Sequence, residues 1–127
     1  MERPSHREIS RKLLSARAAV ESGDVLLVNA KAIRGDLLDL GFLMDELLEL
    51  LPSILNELEP GQYRGTRPPQ KSYEKTIIGR ELYAFSWMSK ALGCSVYFKF
   101  ALKEKTLWIV SFHRDRKTEG GEENELP

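Results

Sequence analysis

The stretch SVYFKFALKEKTLWIVSFH, residues 95–113, consists of two apolar-rich runs on either side of the charged segment KEK. Two such runs around a short polar segment are typical of a β-hairpin. Successive strand residues point to opposite faces of a sheet. We therefore expect one face of the hairpin to be buried, because large apolar residues occupy its even positions: Val96, Phe98, Phe100, Leu102, Trp108, Val110 and Phe112.

The opposite face of this hairpin carries the reactive side chains. Keeping the even positions of both strands on one face requires a loop of odd length, for example the three residues 104–106. In that register Tyr97 lies directly across from His113, and Lys99 lies across from Ser111. A phenol, an ammonium, a hydroxyl and an imidazole on one face are the components of an acid–base site.

Three helices are expected in the first half of the chain. Apolar and small residues recur at helical spacing over 9–22. Asn29 is a suitable cap for a second helix, which ends at Gly41. A third helix begins near Leu43, and Pro52 is expected to break or restart it.

The second half of the chain is expected to be mainly strand. Residues 81–88 alternate aromatic with smaller side chains, as a strand does. In the first half of the chain, residues 24–28 are either a short buried strand or a connection between helices. Residues 118–127 are acidic and nearly without apolar content, which predicts a disordered tail. The predicted fold is α+β, with N-terminal helices packed on a mainly antiparallel C-terminal sheet in one domain, residues 1–117.

Charge is unevenly distributed along the chain, although the net charge is zero. Residues 1–60 hold 7 Lys and Arg against 11 Asp and Glu, whereas residues 61–117 hold 12 against 4. A basic half favours an anionic partner. The single cysteine makes a cytoplasmic setting the expectation, and no apolar run is long enough to predict a membrane span.

Residues 61–75, GQYRGTRPPQKSYEK, interleave cations with tyrosines. Arg and Lys hold phosphates and bases stack on aromatic rings, so this composition suits RNA, although a solvated loop has a similar composition. The proximity of the reactive sheet face favours RNA. No spacing of His, Cys, Asp and Glu predicts a metal site. The candidate RNA-binding residues are Arg64, Arg67, Lys75, Lys99 and Arg114.

Three motifs resemble those of the MqsR family of bacterial toxins: VYFKFALKEKTLWIVSFH at 96–113, KS at 71–72 and DLGF at 39–42. These toxins are small α+β proteins of the RelE-like group, and the resemblance extends over about residues 5–115. It implies a RelE-like fold and a metal-independent endoribonuclease that cleaves mRNA without a cofactor. It also implies a cognate antitoxin protein as a partner.

The resemblance also implies a set of site residues. The family uses the lysine of the KS step, which is Lys71 here, and the tyrosine of VYxK, which is Tyr97. His113 stands where the family has a lysine after SF. The family glutamine is missing and its position falls near Tyr83, and the tryptophan beside it is also absent. With Arg80 assigned to charge stabilisation, these five residues form the predicted catalytic set.

Two other functions fit the same sequence. An RNA-binding module without catalysis is consistent with the missing glutamine and the exchanged lysine, and a protein-interaction domain would use the leucine-rich helix at 43–58. Histidine both accepts and donates a proton near neutral pH. His113 is therefore the candidate acid or base if the protein is an enzyme.

Overall fold

Three helices pack against a four-stranded sheet in this computed structural model, which describes residues 3–115. The predicted α+β class is confirmed, and the predicted tail 118–127 lies outside the described residues. The helices are α1 (His6–Glu21), α2 (Ala30–Leu40) and α3 (Met44–Asn56). The strands are β1 (Val25–Leu27), β2 (Tyr83–Ser89), β3 (Cys94–Lys103) and β4 (Thr106–Arg114).

The strands follow the spatial order β1-β4-β3-β2. β3 pairs antiparallel with both β2 and β4, whereas β1 pairs parallel with β4 at one edge. The sheet is therefore mainly antiparallel, as predicted. Of the two interpretations of residues 24–28, the strand is correct, but it is not fully buried, because Leu26 is half exposed.

Local chemistry sets the ends of α2 where the sequence predicted them. The side-chain oxygen of Asn29 accepts a hydrogen bond from the backbone N–H of Ala32 at 3.1 Å. Gly41 ends the helix in the left-handed conformation, with φ of 87°. None of the helices in the described part of the chain is both long and apolar enough to cross a membrane.

Helix α3 runs through Pro52 without a break, so the predicted interruption is wrong. The helix continues because packing of apolar side chains into the core stabilises the turns on both sides of the proline. Ile54 and Leu55 after it are fully buried, as are Leu47 and Leu51 before it. The leucine-rich face therefore packs into the core.

The loop of the β3–β4 hairpin is shorter than predicted. Lys103 pairs with Thr106, which leaves two loop residues, Glu104 and Lys105, instead of three. Glu104 adopts a positive φ of 58° to close this tight loop. A two-residue loop by itself would shift the predicted pairing by one residue.

A β-bulge at Val110 corrects this shift. Val110 has no partner in the ladder, so the pairing beyond it advances by one residue. Tyr97 therefore pairs with His113 and Lys99 with Ser111, and both predicted pairs are confirmed.

Between the loop and the bulge, β4 turns the other set of its side chains to the core. Leu107 and Ile109 are fully buried, whereas Trp108 and Val110, which were predicted to be buried, are only partly so. The prediction was wrong here because all four residues are apolar, and alternation alone does not choose between them.

The core lies between the helices and one face of the sheet. The rings of Phe98 and Phe112 meet edge-on there, with centroids 5.4 Å apart. All three helices contribute to this cluster, so the other face of the sheet is turned away from them. We call that other face the polar face; it carries Ala84, Ser86, Tyr97, Lys99, Ser111 and His113.

Candidate functional site

The polar face brings together the two rings that the sequence predicted to meet. Tyr97 and His113 are cross-strand partners, and their rings stack with centroids 5.0 Å apart and planes inclined by 18°. Lys99 lies two residues further along β3, opposite Ser111. The phenol and the imidazole are thus in contact on the polar face.

The imidazole of His113 is oriented by the backbone. Its Nδ1 lies 2.8 Å from the carbonyl oxygen of Arg114. A carbonyl oxygen only accepts, so Nδ1 carries the hydrogen and donates this bond. In the neutral ring Nε2 then keeps a lone pair, which makes it the nitrogen that can take up a proton.

Tyr97 keeps its proton at neutral pH. Burial raises the pKa of its phenol above the ordinary value, and the nearby carboxylate of Asp115 raises it further by disfavouring a second negative charge. Tyr97 is therefore a hydrogen-bond donor at neutral pH.

A groove runs along the polar face beside Tyr97. It consists of two adjoining cavities of about 310 Å³ and about 100 Å³, which share Gln70 and Lys99 among their lining residues. Lys71 lines the larger cavity, and Arg64 and Tyr97 line the smaller one. Of the predicted residues, Lys71, Tyr97, Lys99 and Arg64 are thus brought together.

A short backbone pairing brings Lys71 to this groove. Residues 70–72 run antiparallel to residues 80–82, just before β2, and hydrogen bonds of 2.8 and 2.9 Å join the two segments. The pairing folds the basic loop back onto the sheet. As a result, a lysine from the loop and Lys99 from the middle of β3 line the same cavity.

The groove has an excess of positive charge. Three cationic residues line it, Arg64, Lys71 and Lys99, against one carboxylate, Glu74. Over residues 3–115, the ion pairs within 4.0 Å all belong to Arg3. None of the three groove cations is therefore paired with a described carboxylate, and the groove attracts anions such as phosphate.

Two predicted catalytic residues lie on the helix side of the sheet, and their assignment is corrected. Tyr83 is only 1% exposed, and its hydroxyl donates to Glu81 at 3.0 Å. Arg80 lines a separate cavity together with Lys12 of α1 and Tyr83. Strand parity explains Tyr83, which shares the buried side of β2 with Phe85. Arg80 lies before β2, in the segment that pairs with residues 70–72, so parity does not determine its side.

Three predicted RNA-binding residues are not among those that line the groove. Arg67 lies 5.1 Å from the centre of the Tyr63 ring and donates to the carbonyl of Pro4 at 2.8 Å, so it packs the chain near the N-terminus. Lys75 lies in a 3-10 turn, Lys75–Ile77, and Arg114 ends β4. Both are exposed at the surface.

Gln70 is a polar groove residue that was not among the predicted site residues. It lines both cavities, where its amide offers donors and an acceptor beside Lys99. Its position directly before the lysine of the KS step was the only signal in the sequence. The pairing of residues 70–72 with 80–82, which sets its place, is not evident from local pattern.

Other parts of the described chain offer less chemistry. Within residues 3–115, no three metal-ligating side chains lie together. A cavity of about 430 Å³ lies along α1, where Arg7, Arg11 and Lys12 surround Glu8. Arg3 holds the pKa of Glu8 below its usual range, so that carboxylate is a poor proton carrier near neutral pH.

No protein-family model matches this sequence, and no curated protein matches it either. The groove combines cations with a hydrogen-bond donor. Its walls are cationic, one end holds a protonated phenol, and an imidazole with an available lone pair stacks on that phenol.

Proposed function

We propose that this protein is the toxin of a type II toxin–antitoxin system, a RelE-like endoribonuclease of the MqsR kind that cleaves mRNA in the cytoplasm without a metal ion. The stacked Tyr97–His113 pair carries the proposal, beside a groove whose cations form no ion pair with a carboxylate of residues 3–115. The resemblance to the MqsR family supports it, because Lys71 and Tyr97, its two matching residues, both line the groove.

The reaction follows from the chemistry of RNA. The ribose 2′-OH loses its proton and attacks the adjacent phosphorus, forming a new O–P bond. The bond from phosphorus to the 5′-oxygen of the next nucleotide breaks, and that oxygen takes a proton from water. The products are a 2′,3′-cyclic phosphate and a 5′-hydroxyl, and no oxidant, reductant or metal is needed.

This work is divided between the groove residues and His113, which stacks on Tyr97 but is not among the lining residues of either cavity. His113 accepts the 2′-OH proton at Nε2, and Tyr97 donates a hydrogen bond to a phosphate oxygen. Lys71 and Lys99 stabilise the additional negative charge of the five-coordinate transition state, because fixed cations act most strongly where charge develops. Gln70 adds neutral donors between the two cavities.

A cleavage assay tests the proposal. Purified protein is incubated with end-labelled single-stranded RNA in EDTA, and the ends of the products are identified. We expect products that end in 2′,3′-cyclic phosphate. Binding without cleavage would instead favour an RNA-binding module. A lack of binding at low salt would contradict both the endoribonuclease and the RNA-binding module.

His113→Ala gives the sharpest single test within this assay. We expect the cleavage rate to fall by about 10²- to 10⁴-fold, the usual contribution of general acid–base catalysis. RNA affinity should change little, because His113 is not among the cations of the groove. The same variant should relieve growth arrest on expression in bacteria, as should Lys71→Ala. A variant that cleaves at the wild-type rate would contradict the role of His113.

A cognate antitoxin protein is part of the proposal. Co-expression of the cognate antitoxin should restore growth, and the purified pair should form a complex that no longer cleaves RNA. The protein-interaction function based on the helix at 43–58 is less favoured, since Leu47, Leu51, Ile54 and Leu55 of that helix are already buried in the core.

A further inference from the structure

Tyr73 presents its ring to solvent at the edge of the groove. Its side chain is 87% exposed, the highest value among the exposed large hydrophobic residues of the described chain. It also lines the larger cavity, together with Lys71 and Lys99. Single exposed aromatic residues are common on protein surfaces, but this ring lies at a cationic cavity, where it can contact an anionic ligand.

The backbone around Tyr73 is well anchored. Ser72 is buried, donates from its N–H to the carbonyl of Arg80 at 2.9 Å and accepts from Gly79 at 2.9 Å. Its hydroxyl also accepts from the N–H of Glu74 at 3.0 Å. Further along the same loop, Ile77 is fully buried. The ring is therefore presented by a fixed segment, which lowers the entropy lost when a ligand stacks on it.

The charge next to this ring indicates what kind of ligand it contacts. A flat aromatic surface within reach of two lysines suits a molecule that alternates planar rings with phosphates, as RNA does. In a duplex the faces of each base are covered by its neighbours, so an unpaired base is needed. We infer that Tyr73 is a stacking platform for an unpaired nucleobase, which selects single-stranded RNA for the groove; this rests on the proposed function.

Equilibrium binding of a non-cleavable probe tests this inference. The probe is a short fluorescein-labelled single-stranded oligoribonucleotide with 2′-O-methyl groups. Removing an aromatic side chain on which a base stacks typically lowers affinity by about 5- to 150-fold, so we expect a loss of affinity in that range for Tyr73→Ala. Tyr73→Phe should bind within about twofold of wild type, because it keeps the ring.

Two controls separate stacking from general effects. Leu14→Ala removes an exposed apolar side chain, 63% exposed, from α1 on the helix side, and it should leave affinity unchanged. Probes with one abasic position, moved along the strand, should identify a position at which wild type binds more weakly. At that position Tyr73→Ala should show no further loss, because the stacked base is already missing.

The outcomes distinguish this inference from the proposed function. If wild type cleaves RNA but Tyr73→Ala binds as tightly as wild type, the inference is wrong and the proposed function stands. If the loss in Tyr73→Ala is the same at every abasic position, the ring contacts the sugar–phosphate chain, and base stacking is excluded. If wild type neither binds nor cleaves RNA, both are wrong.

Discussion

Two tyrosines of the central sheet show how strongly the face of a strand determines the role of a residue. Burial raises the pKa of Tyr97 and Tyr83 alike, so both phenols keep their protons at neutral pH. Tyr97 opens onto the groove, whereas Tyr83 donates to Glu81 on the helix side. Only the first is in a position to donate to a substrate.

The two phenylalanine variants give a matched test at this scale. Tyr97→Phe removes one donor to the transition state, and we expect the cleavage rate to fall by roughly 10²-fold or more. Tyr83→Phe should keep the wild-type rate and lose about 0.5–1.5 kcal/mol of unfolding free energy with its hydrogen bond. Single-turnover cleavage and urea denaturation measure the two quantities. Equal loss of rate in both variants would restore Tyr83 to the site.

At the scale of the elements, the hairpin shows what alternation predicts and what it misses. The pairing of Tyr97 with His113 was predicted correctly from a loop length that was wrong. The two-residue loop and the bulge at Val110 shift the register in opposite senses, so their effects cancel beyond the bulge. A bulge leaves no mark in an apolar run such as 107–110, because either set of side chains can be buried there.

The tight hairpin loop makes a prediction about stability. Glu104 has a φ of 58°, a left-handed conformation that costs a side-chain-bearing residue about 1–2 kcal/mol. Glu104→Gly relieves that cost, partly offset by a more flexible unfolded chain, and should raise the unfolding free energy by about 0.5–1 kcal/mol. Lys105→Gly relieves no such strain, so this variant should have an unfolding free energy lower by about 0.5–1 kcal/mol. Urea denaturation should show opposite signs, and two shifts of the same sign would contradict the loop geometry.

Glu57 joins the end of α3 to the turn between β2 and β3. Its carboxylate accepts from the Trp87 indole at 2.7 Å and from the Ala91 N–H at 2.8 Å. Burial raises the pKa of Glu57, but these hydrogen bonds outweigh it, and the pKa lies below its usual range. The charged form is therefore favoured in the folded state, so its stabilisation is present above the ordinary pKa of 4.5 and lost as the pH falls through the lowered value.

Glu57→Gln tests this connection. At pH values above the ordinary carboxyl pKa of 4.5, we expect this variant to lose about 1.5–3 kcal/mol of unfolding free energy, the range for hydrogen bonds to a charged group. The difference from wild type should shrink as the pH is lowered below 4.5, the ordinary value for the carboxyl. Glu49→Gln, at an exposed position of the same helix, is the control and should change stability little. A difference that stays constant with pH would argue against a role for the charge.

At the scale of the whole molecule, the site is assembled from segments that are distant in sequence. The α+β class and the basic second half were predictable, because helical spacing and charge are local properties of the chain. The meeting of Lys71 with Lys99 was not, since it depends on the loop folding back along residues 80–82. Arg80 was misassigned for the same reason, because its neighbours in sequence do not show which side of the sheet it reaches.

The excess of positive charge in the groove predicts that the affinity for RNA falls as the salt concentration rises. Binding of single-stranded RNA releases counterions, and the logarithm of affinity falls with the logarithm of salt concentration by about 0.7 per phosphate neutralised. If Arg64, Lys71 and Lys99 each neutralise one phosphate, the slope should be about −2. Lys99→Gln should make the slope shallower by about 0.7, whereas Lys31→Gln, exposed on α2, should leave it unchanged. Binding isotherms of the non-cleavable probe at several salt concentrations measure these slopes. Equal slopes for wild type and Lys99→Gln would mean that phosphates bind elsewhere on the protein.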